Sequence, residues 1–313
     1  LTVASLLNTG TGAMTLNGVL TSLGAVQNQA GGTIALDADL NAAGQTVTQD
    51  GQLTVTGQRT LTLGQFTGGG GVTLTEGGRL TIAQSGNSTF AGVMQGPGDF
   101  TRAGAGTLTL TAAQGFTGLA TVQPGATLAL AGSGAIATAS GLALGGIFDI
   151  SATSGGASLR ALTGAGQVVL GNDAGTPRSL RLTAAEGSFG GQITGAGGLF
   201  VDGGAAVFTG ASTYAGPTTI ATGASLALGG MGGIAGSSQV LVDGLFAVQG
   251  SSPGVNLQAL SVRSGGVAQA GAPVQVTGTL LVSAGTLNGP ATFTAPRYEL
   301  TNARDGAVTV DLM

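Results

Sequence analysis

The chain has 313 residues, of which 62 are glycine and only 7% are charged. Its mean hydropathy of +0.41 excludes a disordered chain, which needs little apolar content and a high net charge. The sequence has no Cys, His or Trp, so thiol and imidazole metal ligands and the Ser-His and Cys-His nucleophile pairs are excluded. A net charge of −4 leaves no basic surface for nucleic acid.

Short segments of alternating polar and apolar residues follow one another from the first tenth of the chain onward. Examples lie at residues 33–37, 52–56, 59–63, 107–111 and 167–170, each bounded by Gly, Asn or Pro. In a Leu-Thr-Leu segment the pleat sends both leucines to one face and the threonine to the other. The pattern predicts strands with an apolar inner face and a polar outer face.

The apolar pairs recur with a fixed step, which predicts a chain wound into equal coils. The step is 19 in the early part, where Leu53 and Val55 recur at Val72 and Leu74. Later it is 20, in these columns: Leu108, Leu128, Phe148 and Val168; Leu110, Leu130, Ile150 and Leu170; Val122, Leu142, Leu162 and Leu182; Val240, Leu260 and Leu280; Val242, Val262 and Val282.

We therefore predict an all-β fold, a single parallel β-helix with about 20 residues per coil that occupies residues 1–313 as one domain. This length gives about 15–16 coils, and a strand spacing of about 4.8 Å gives a rod of roughly 75 Å. The chain begins without an initiator Met or a basic leader segment, so we expect a mature or excised piece. Glycines interrupt the uncharged stretch at residues 103–148, which argues against a membrane span.

A longer repeat lies over the coil repeat, since residues 90–130 match residues 189–228. Its matched positions include Phe90 with Phe189, Gly96 with Gly195, Phe116 with Tyr214, Gly125 with Gly223, and Leu130 with Leu228. The offset between the copies falls from 99 to 98, so one residue is lost within the second copy. The recurrence of the aromatic residues favours packing in the core or at corners over ligand stacking.

The order of residues in this repeat resembles the passenger-associated repeat of autotransporter proteins. That order is F-x-G, G-x-G-x-Φ, basic-x-G-x-G-x-L-x-L, F/Y-x-G and V-x-x-G-x-x-L-x-L, with Arg102 where the family usually has Lys and Val201 at the matching position of the second copy. Residues 28–36 also resemble the repeats of filamentous haemagglutinin-type adhesins. The resemblance implies a right-handed parallel β-helix on the surface of a Gram-negative bacterium.

Few polar residues are candidates for chemistry. Asp37 and Asp39 form the one closely spaced pair of carboxylates, which we interpret as two solvated side chains and, as a minor alternative, a calcium site. Asp243 and Arg263 stand one coil apart and are expected to form a surface ion pair of small energy. Two further acids, Asp202 and Glu186, lie near Arg181 and Arg178 in sequence without indicating a pocket.

Threonines alternate with apolar residues in several strands, as at Thr54 and Thr56, Thr60 and Thr62, and Thr73 and Thr75. An ice-binding solenoid needs one flat and regular threonine face. The uneven steps favour the ordinary interpretation, in which alternation simply places threonine outward.

The first functional hypothesis is a secreted, non-catalytic cell-surface β-helix that serves as a stalk or an adhesive contact surface. It has no catalytic, cofactor-binding or metal-binding residues, and its expected partners are host or neighbouring cell surfaces or their glycans. The alternative is an extracellular fibre subunit that stacks end to end through its terminal coils. A glycan-degrading β-helix enzyme is a third hypothesis, since 13 acids are scattered singly along the chain.

Overall fold

The computed structural model describes residues 2–16, 22–171, 177–250 and 252–301. All regular elements among these residues are β-strands, and they form a parallel β-solenoid of about 14 turns with roughly 20 residues per turn. The predicted fold class is therefore confirmed. The chain divides into two compact units, Leu1–Ser154 and Gly155–Met313, which are called unit 1 and unit 2 below. The assignment of residues 1–313 to one domain stays a prediction.

The described residues of unit 1 form 18 strands. They are β1 (Thr2–Asn8), β2 (Ala13–Leu16), β3 (Ser22–Asn28), β4 (Thr33–Leu36), β5 (Leu40–Gln49), β6 (Gln52–Val55), β7 (Thr60–Thr67), β8 (Gly71–Leu74), β9 (Arg79–Ala83), β10 (Ser88–Phe90), β11 (Val93–Gly96), β12 (Asp99–Ala103), β13 (Thr107–Leu110), β14 (Gly115–Phe116), β15 (Leu119–Val122), β16 (Thr127–Gly132), β17 (Gly141–Leu144) and β18 (Ile147–Thr153).

In unit 2, the part of the chain that the structure describes forms 20 strands. They are β19 (Ala157–Leu159), β20 (Leu162–Gly164), β21 (Gln167–Val169), β22 (Leu180–Leu182), β23 (Ser188–Phe189), β24 (Gln192–Thr194), β25 (Leu199–Val201), β26 (Ala205–Phe208), β27 (Thr218–Ile220), β28 (Ser225–Leu228), β29 (Val240–Val242), β30 (Leu245–Val248), β31 (Val255–Leu257), β32 (Leu260–Val262), β33 (Val267–Ala270), β34 (Val274–Val276), β35 (Thr279–Ser283), β36 (Thr286–Asn288), β37 (Phe293–Thr294) and β38 (Arg297–Thr301).

Each unit stacks its strands in parallel sheets, because successive turns place equivalent strands beside one another. In unit 1 the sheets run β1-β3-β5-β7-β9-β12-β15-β17, β2-β4-β6-β8-β11-β14 and β10-β13-β16-β18. In unit 2 they run β20-β23-β26-β28-β30-β33-β36, β19-β22-β25-β27-β29-β32-β35-β38 and β31-β34-β37, with β21 paired to β24.

The interior of the coils is formed by the apolar residues that alternate along the strands. In β13, Leu108 and Leu110 are fully buried while the threonines beside them are half exposed. Leu108 pairs with Leu128 and Leu110 with Leu130, and Leu128 then pairs with Phe148. Each such side chain contributes roughly 1.5–3 kcal/mol by leaving water. The alternation that indicated strands in the sequence therefore also forms the core.

Most of the other predicted columns are confirmed as registered pairs. The early step of 19 appears as Leu53 with Val72, Val55 with Leu74 and Leu61 with Leu80. The late step of 20 appears as Val240 with Leu260 and Leu280, and as Val242 with Val262 and Val282.

One predicted column is wrong, namely Val122, Leu142, Leu162 and Leu182. Val122 pairs with Leu144, and Leu182 pairs with Leu159. The steps are 22 and 23 residues there, because eight residues separate β16 from β17 and ten separate β21 from β22. The structure has about 14 turns, where division by 20 predicts 15–16.

The predicted step from Leu130 to Ile150 coincides with an irregularity in the ladder between β16 and β18. The pairing shifts register between Ala129, which opposes Asp149, and Ala131, which opposes Ala152. One extra residue in β18 is accommodated there, as in a β-bulge. Leu130 is nevertheless fully buried, so its predicted place in the core holds.

A ladder of buried amides marks one corner of the first three turns. Asn8 donates to Asn28 at 3.1 Å, Asn28 donates to Gln49 at 3.3 Å, and Gln49 donates to the carbonyl of Gly71 at 3.2 Å. Buried amides are tolerated when they are hydrogen-bonded, and here each satisfies the next. The stretch that resembles haemagglutinin-type repeats thus begins with a ladder residue, Asn28.

Arg102 lies in β12 and is fully buried, although the sequence patterns suggest no such role. Its guanidinium donates to four backbone carbonyls: Nε to Thr127 at 3.2 Å, Nη1 to Ile82 at 3.1 Å, and Nη2 to Gln84 at 3.4 Å and to Gly106. Burial lowers the pKa of Arg102 to about 10. The side chain therefore joins three consecutive turns from inside the solenoid.

Both copies of the long repeat adopt the same local backbone. Gly96 and Gly195 have φ of +99° and +113°, and Gly125 and Gly223 both have φ of +80°. These values lie where side-chain-bearing residues are strained, which explains why the repeat has glycine at these turns. A Cβ on Gly96 would lie 2.1 Å from the carbonyl oxygen of Leu74, so neighbouring turns also need the missing side chain.

Candidate contact surface

The outward side of the eight-stranded sheet of unit 2 carries two columns of side chains. Strands β22, β25, β27, β29 and β32 are three residues long, and their first and third residues are buried. Their middle residues are exposed or half-buried, except Ser261, which is buried. The middle residues align in register, and the residues that follow each strand align beside them. We call this the outer face: Arg181, Phe200, Thr219, Leu241 and Ser261 in one column, and Thr183, Asp202, Ala221, Asp243 and Arg263 in the other.

Arg181 and Asp202 form the first charged pair on the outer face. The guanidinium makes a fork, with Nε 2.8 Å from Oδ2 and Nη2 3.1 Å from Oδ1. The same guanidinium lies over the ring of Phe200, with 4.6 Å between Cζ and the ring centroid. One arginine therefore orients both a carboxylate and an aromatic ring.

Asp243 and Arg263 form the second charged pair, as their spacing predicts. Here only Nη2 contacts the carboxylate, through Oδ2, and Nε of Arg263 is buried without a hydrogen-bond partner among the described residues. The Arg181 pair was anticipated only as proximity in sequence. The sequence placed Glu186 and Arg178 near this pair as well. In the structure Glu186 lies on an exposed corner, and Arg178 lies half-buried before β22.

A shallow saddle separates the two charged pairs. Its floor is formed by two short side chains, Thr219 of β27 and Ala221 just after it. Phe200 and Asp202 lie on one side of this floor, and Leu241 and Asp243 lie on the other. Two strand spacings separate Asp202 from Asp243, or about 10 Å. Across this saddle Phe200 faces Leu241, and Asp202 faces Asp243.

The carboxylate pair predicted in unit 1 does not form a joint site. Asp37 lies 3.6 Å from Nε of Arg59 and accepts a hydrogen bond from Thr56, whereas Asp39 accepts a hydrogen bond of 2.7 Å from the backbone of Thr60. Each carboxylate thus contacts the next turn separately. The described residues contain no group of three or more His, Cys, Asp or Glu placed to hold a metal.

Threonines do align on the first sheet of unit 1, where Thr62, Thr81, Thr101 and Thr121 are successive partners. The next outward column reads Thr60, Arg79, Asp99 and Leu119, with an ion pair of 3.7 Å between Arg79 and Asp99. A single column of threonines beside charged residues is not the flat threonine face that ice binding requires. The ordinary interpretation of these threonines is retained.

The aromatic residues of the long repeat lie in the core, as predicted. Phe90, Phe116, Phe189 and Tyr214 are at most 1% exposed. The hydroxyl of Tyr214 lies 2.6 Å from Oγ1 of Thr218 inside the turn. Phe200, which the sequence patterns did not single out, is half exposed; its place in an alternating strand is the signal that identifies it as outward-facing.

Two concave regions occur elsewhere in unit 1. An apolar cavity of only about 20 Å³ is lined by side chains including Leu6, Leu36 and Leu61. A polar groove of about 440 Å³ lies beside the register shift of β5 between Ala42 and Thr46, with Gln45 and Gln65 among its lining residues. Neither contains a charged side chain. In the described part of the chain no helix is long and apolar enough to span a membrane.

Comparison with known proteins assigns no relative: no family model, no curated protein and no solved structure matches the chain.

Proposed function

We propose that this chain is a secreted, non-catalytic β-solenoid that acts at a bacterial cell surface as a stalk and an adhesive contact surface. The observation that carries the proposal is the pair of registered columns on the outer face, which hold side chains of complementary character at fixed spacing. The resemblance to autotransporter passengers and haemagglutinin-type adhesins supports a location outside a Gram-negative cell.

The physical basis of the proposal is the rigidity of stacked parallel strands. The interior is filled by stacked apolar side chains, which hold the backbone of the outward residues in place. Little backbone conformational entropy is therefore lost when a partner binds. The two Arg–Asp pairs add orientation to the outer face, although each exposed pair contributes only about 0–1 kcal/mol to stability. A preorganised surface of this kind suits adhesion.

The test is an adhesion assay with the full chain coupled to beads. We expect beads coated with the chain to be retained on bacterial or epithelial cells above the level of albumin-coated beads. Absence of retention on every cell type in the panel would refute the proposal, and so would release of reducing ends from a polysaccharide incubated with the chain. Particles that lengthen with concentration in sedimentation would favour the end-to-end fibre subunit instead.

A further inference from the structure

We infer that the saddle of the outer face binds a neutral oligosaccharide. The inference rests on the proposed contact function and adds the chemical class of its ligand. Ligand sites in proteins combine apolar walls with a few fixed polar groups, and the saddle has both in a small space.

The carboxylates of Asp202 and Asp243 supply the hydrogen-bond acceptors. An ionised carboxylate offers about four lone-pair sites, and the fork from Arg181 takes one on each oxygen of Asp202. The remaining sites point away from the arginine and can accept bonds from two neighbouring sugar hydroxyls. Because the arginines already fix the carboxylates, little rotamer entropy is lost on binding.

Charge balance on the outer face favours an uncharged ligand. Arg181 with Asp202 and Arg263 with Asp243 cancel, giving a net charge of zero across the saddle. An anionic ligand would have to compete with a carboxylate for its arginine, and a cationic ligand would have to compete with the arginine for its carboxylate. A polyhydroxylated neutral molecule gains hydrogen bonds without breaking either pair.

The apolar walls match the C–H faces of sugar rings. Phe200 and Leu241 are both half-buried in the outer column, two strands apart, and Arg181 holds the aromatic ring from one side. Thr219 between them offers a hydroxyl that both donates and accepts. The walls stand on strands about 10 Å apart, so the space between the two side chains is narrower than this and suits a sugar ring rather than a protein domain.

The arrangement fits binding better than cleavage. Inverting glycosidases separate their two carboxyl groups by roughly 6.5–9.5 Å, which is close to the spacing here. However, such an enzyme needs one carboxyl group that stays protonated as the acid, in an apolar environment. Each carboxylate of the saddle instead contacts a guanidinium group, so neither lies in the apolar environment that a catalytic acid needs.

The test is titration of the full chain with neutral oligosaccharides, followed by ligand-observed NMR. The panel contains β- and α-linked glucose, galactose and mannose oligomers of two to four units, with a uronic-acid oligomer as the charged probe. Asp202→Asn and Asp243→Asn each remove a carboxylate but keep the side-chain shape. Asp99→Asn is the matched control, because Asp99 also pairs with an arginine one turn away but lies in unit 1.

We expect at least one neutral oligosaccharide to bind, with affinity reduced tenfold or more in Asp202→Asn and Asp243→Asn and unchanged in Asp99→Asn. Equal affinity in all variants would overturn the inference, as would binding of the uronic-acid oligomer alone or of no neutral oligomer in the panel. Retention of wild-type beads on cells together with any of these results would leave the contact function standing and reject only its ligand class.

Discussion

Replacement of Arg102 by Met tests the most unexpected element of the core, a buried cation held only by carbonyl groups. The change keeps the length of the side chain and removes every donor. Hydrogen bonds from a charged donor contribute about 1.5–3 kcal/mol each, and Arg102 makes four to backbone carbonyls, those to Thr127 and Ile82 at 3.2 and 3.1 Å.

The cost of burying the guanidinium opposes this loss. Lowering the pKa of Arg102 to about 10 corresponds to a free-energy cost of about 3 kcal/mol, at about 1.4 kcal/mol per pKa unit. The hydrogen bonds outweigh that cost, so we expect Arg102→Met to lower the free energy of unfolding by roughly 2–5 kcal/mol. Arg102→Lys keeps the charge and some donors and should lose less.

The assay is urea unfolding followed by circular dichroism, with hydrogen exchange of the amides of Gly106 and Thr127 as a local probe. Arg79→Met is the control, because this side chain is 67% exposed on the neighbouring strand β9 and pairs loosely with Asp99. It should change stability by no more than about 0.5 kcal/mol. Equal unfolding midpoints for Arg102→Met and Arg79→Met would refute the reasoning.

Three further predictions concern the core and its turns. Leu130→Asp buries an unpaired charge and should lower Tm strongly, whereas Thr109→Asp on the outward side of β13 should not; equal Tm values would contradict the placement of Leu130. Gly96→Ala forces a side chain into a left-handed turn against a carbonyl group and should lower the free energy of unfolding by roughly 3 kcal/mol or more. Gly69→Ala has open space around its Cβ and should change the free energy of unfolding by no more than about 1 kcal/mol in the same urea assay. Burial raises the pKa of Tyr214, so the folded state keeps a proton that the unfolded state loses above a pH of about 10, and stability should fall there. Tyr214→Phe should therefore flatten the decline of Tm at alkaline pH. An unchanged decline in this variant would disprove the prediction.

The fold was predictable because one periodicity determines both strand type and stacking. Leu108 and Leu128 stand 20 residues apart in the sequence and face each other in neighbouring strands. Prediction was wrong where turns change length, since no local pattern shows that Val122 opposes Leu144 rather than Leu142. A turn longer than average moves the register without altering the alternation inside the strands that it joins.

The outer face was predictable only in part. The step of 20 residues between Asp243 and Arg263 predicted their contact, because it equals one turn. The step of 21 between Arg181 and Asp202, and the place of Phe200 beside them, depend on the actual length of the turns. Sequence alone also did not identify Arg102 as buried, because an arginine ordinarily indicates a solvated position.

Bead adhesion with outer-face variants tests the central claim most directly, since it asks whether the registered columns of unit 2 are the working surface. Beads would be coated at equal density with the wild-type chain, the double variant of Asp202→Asn and Asp243→Asn, or Asp99→Asn, after circular dichroism has shown the same fold for each. The account predicts retention by the wild type and Asp99→Asn, and loss of retention by the double variant. Equal retention of all three would contradict it and would place the contact surface elsewhere on the solenoid.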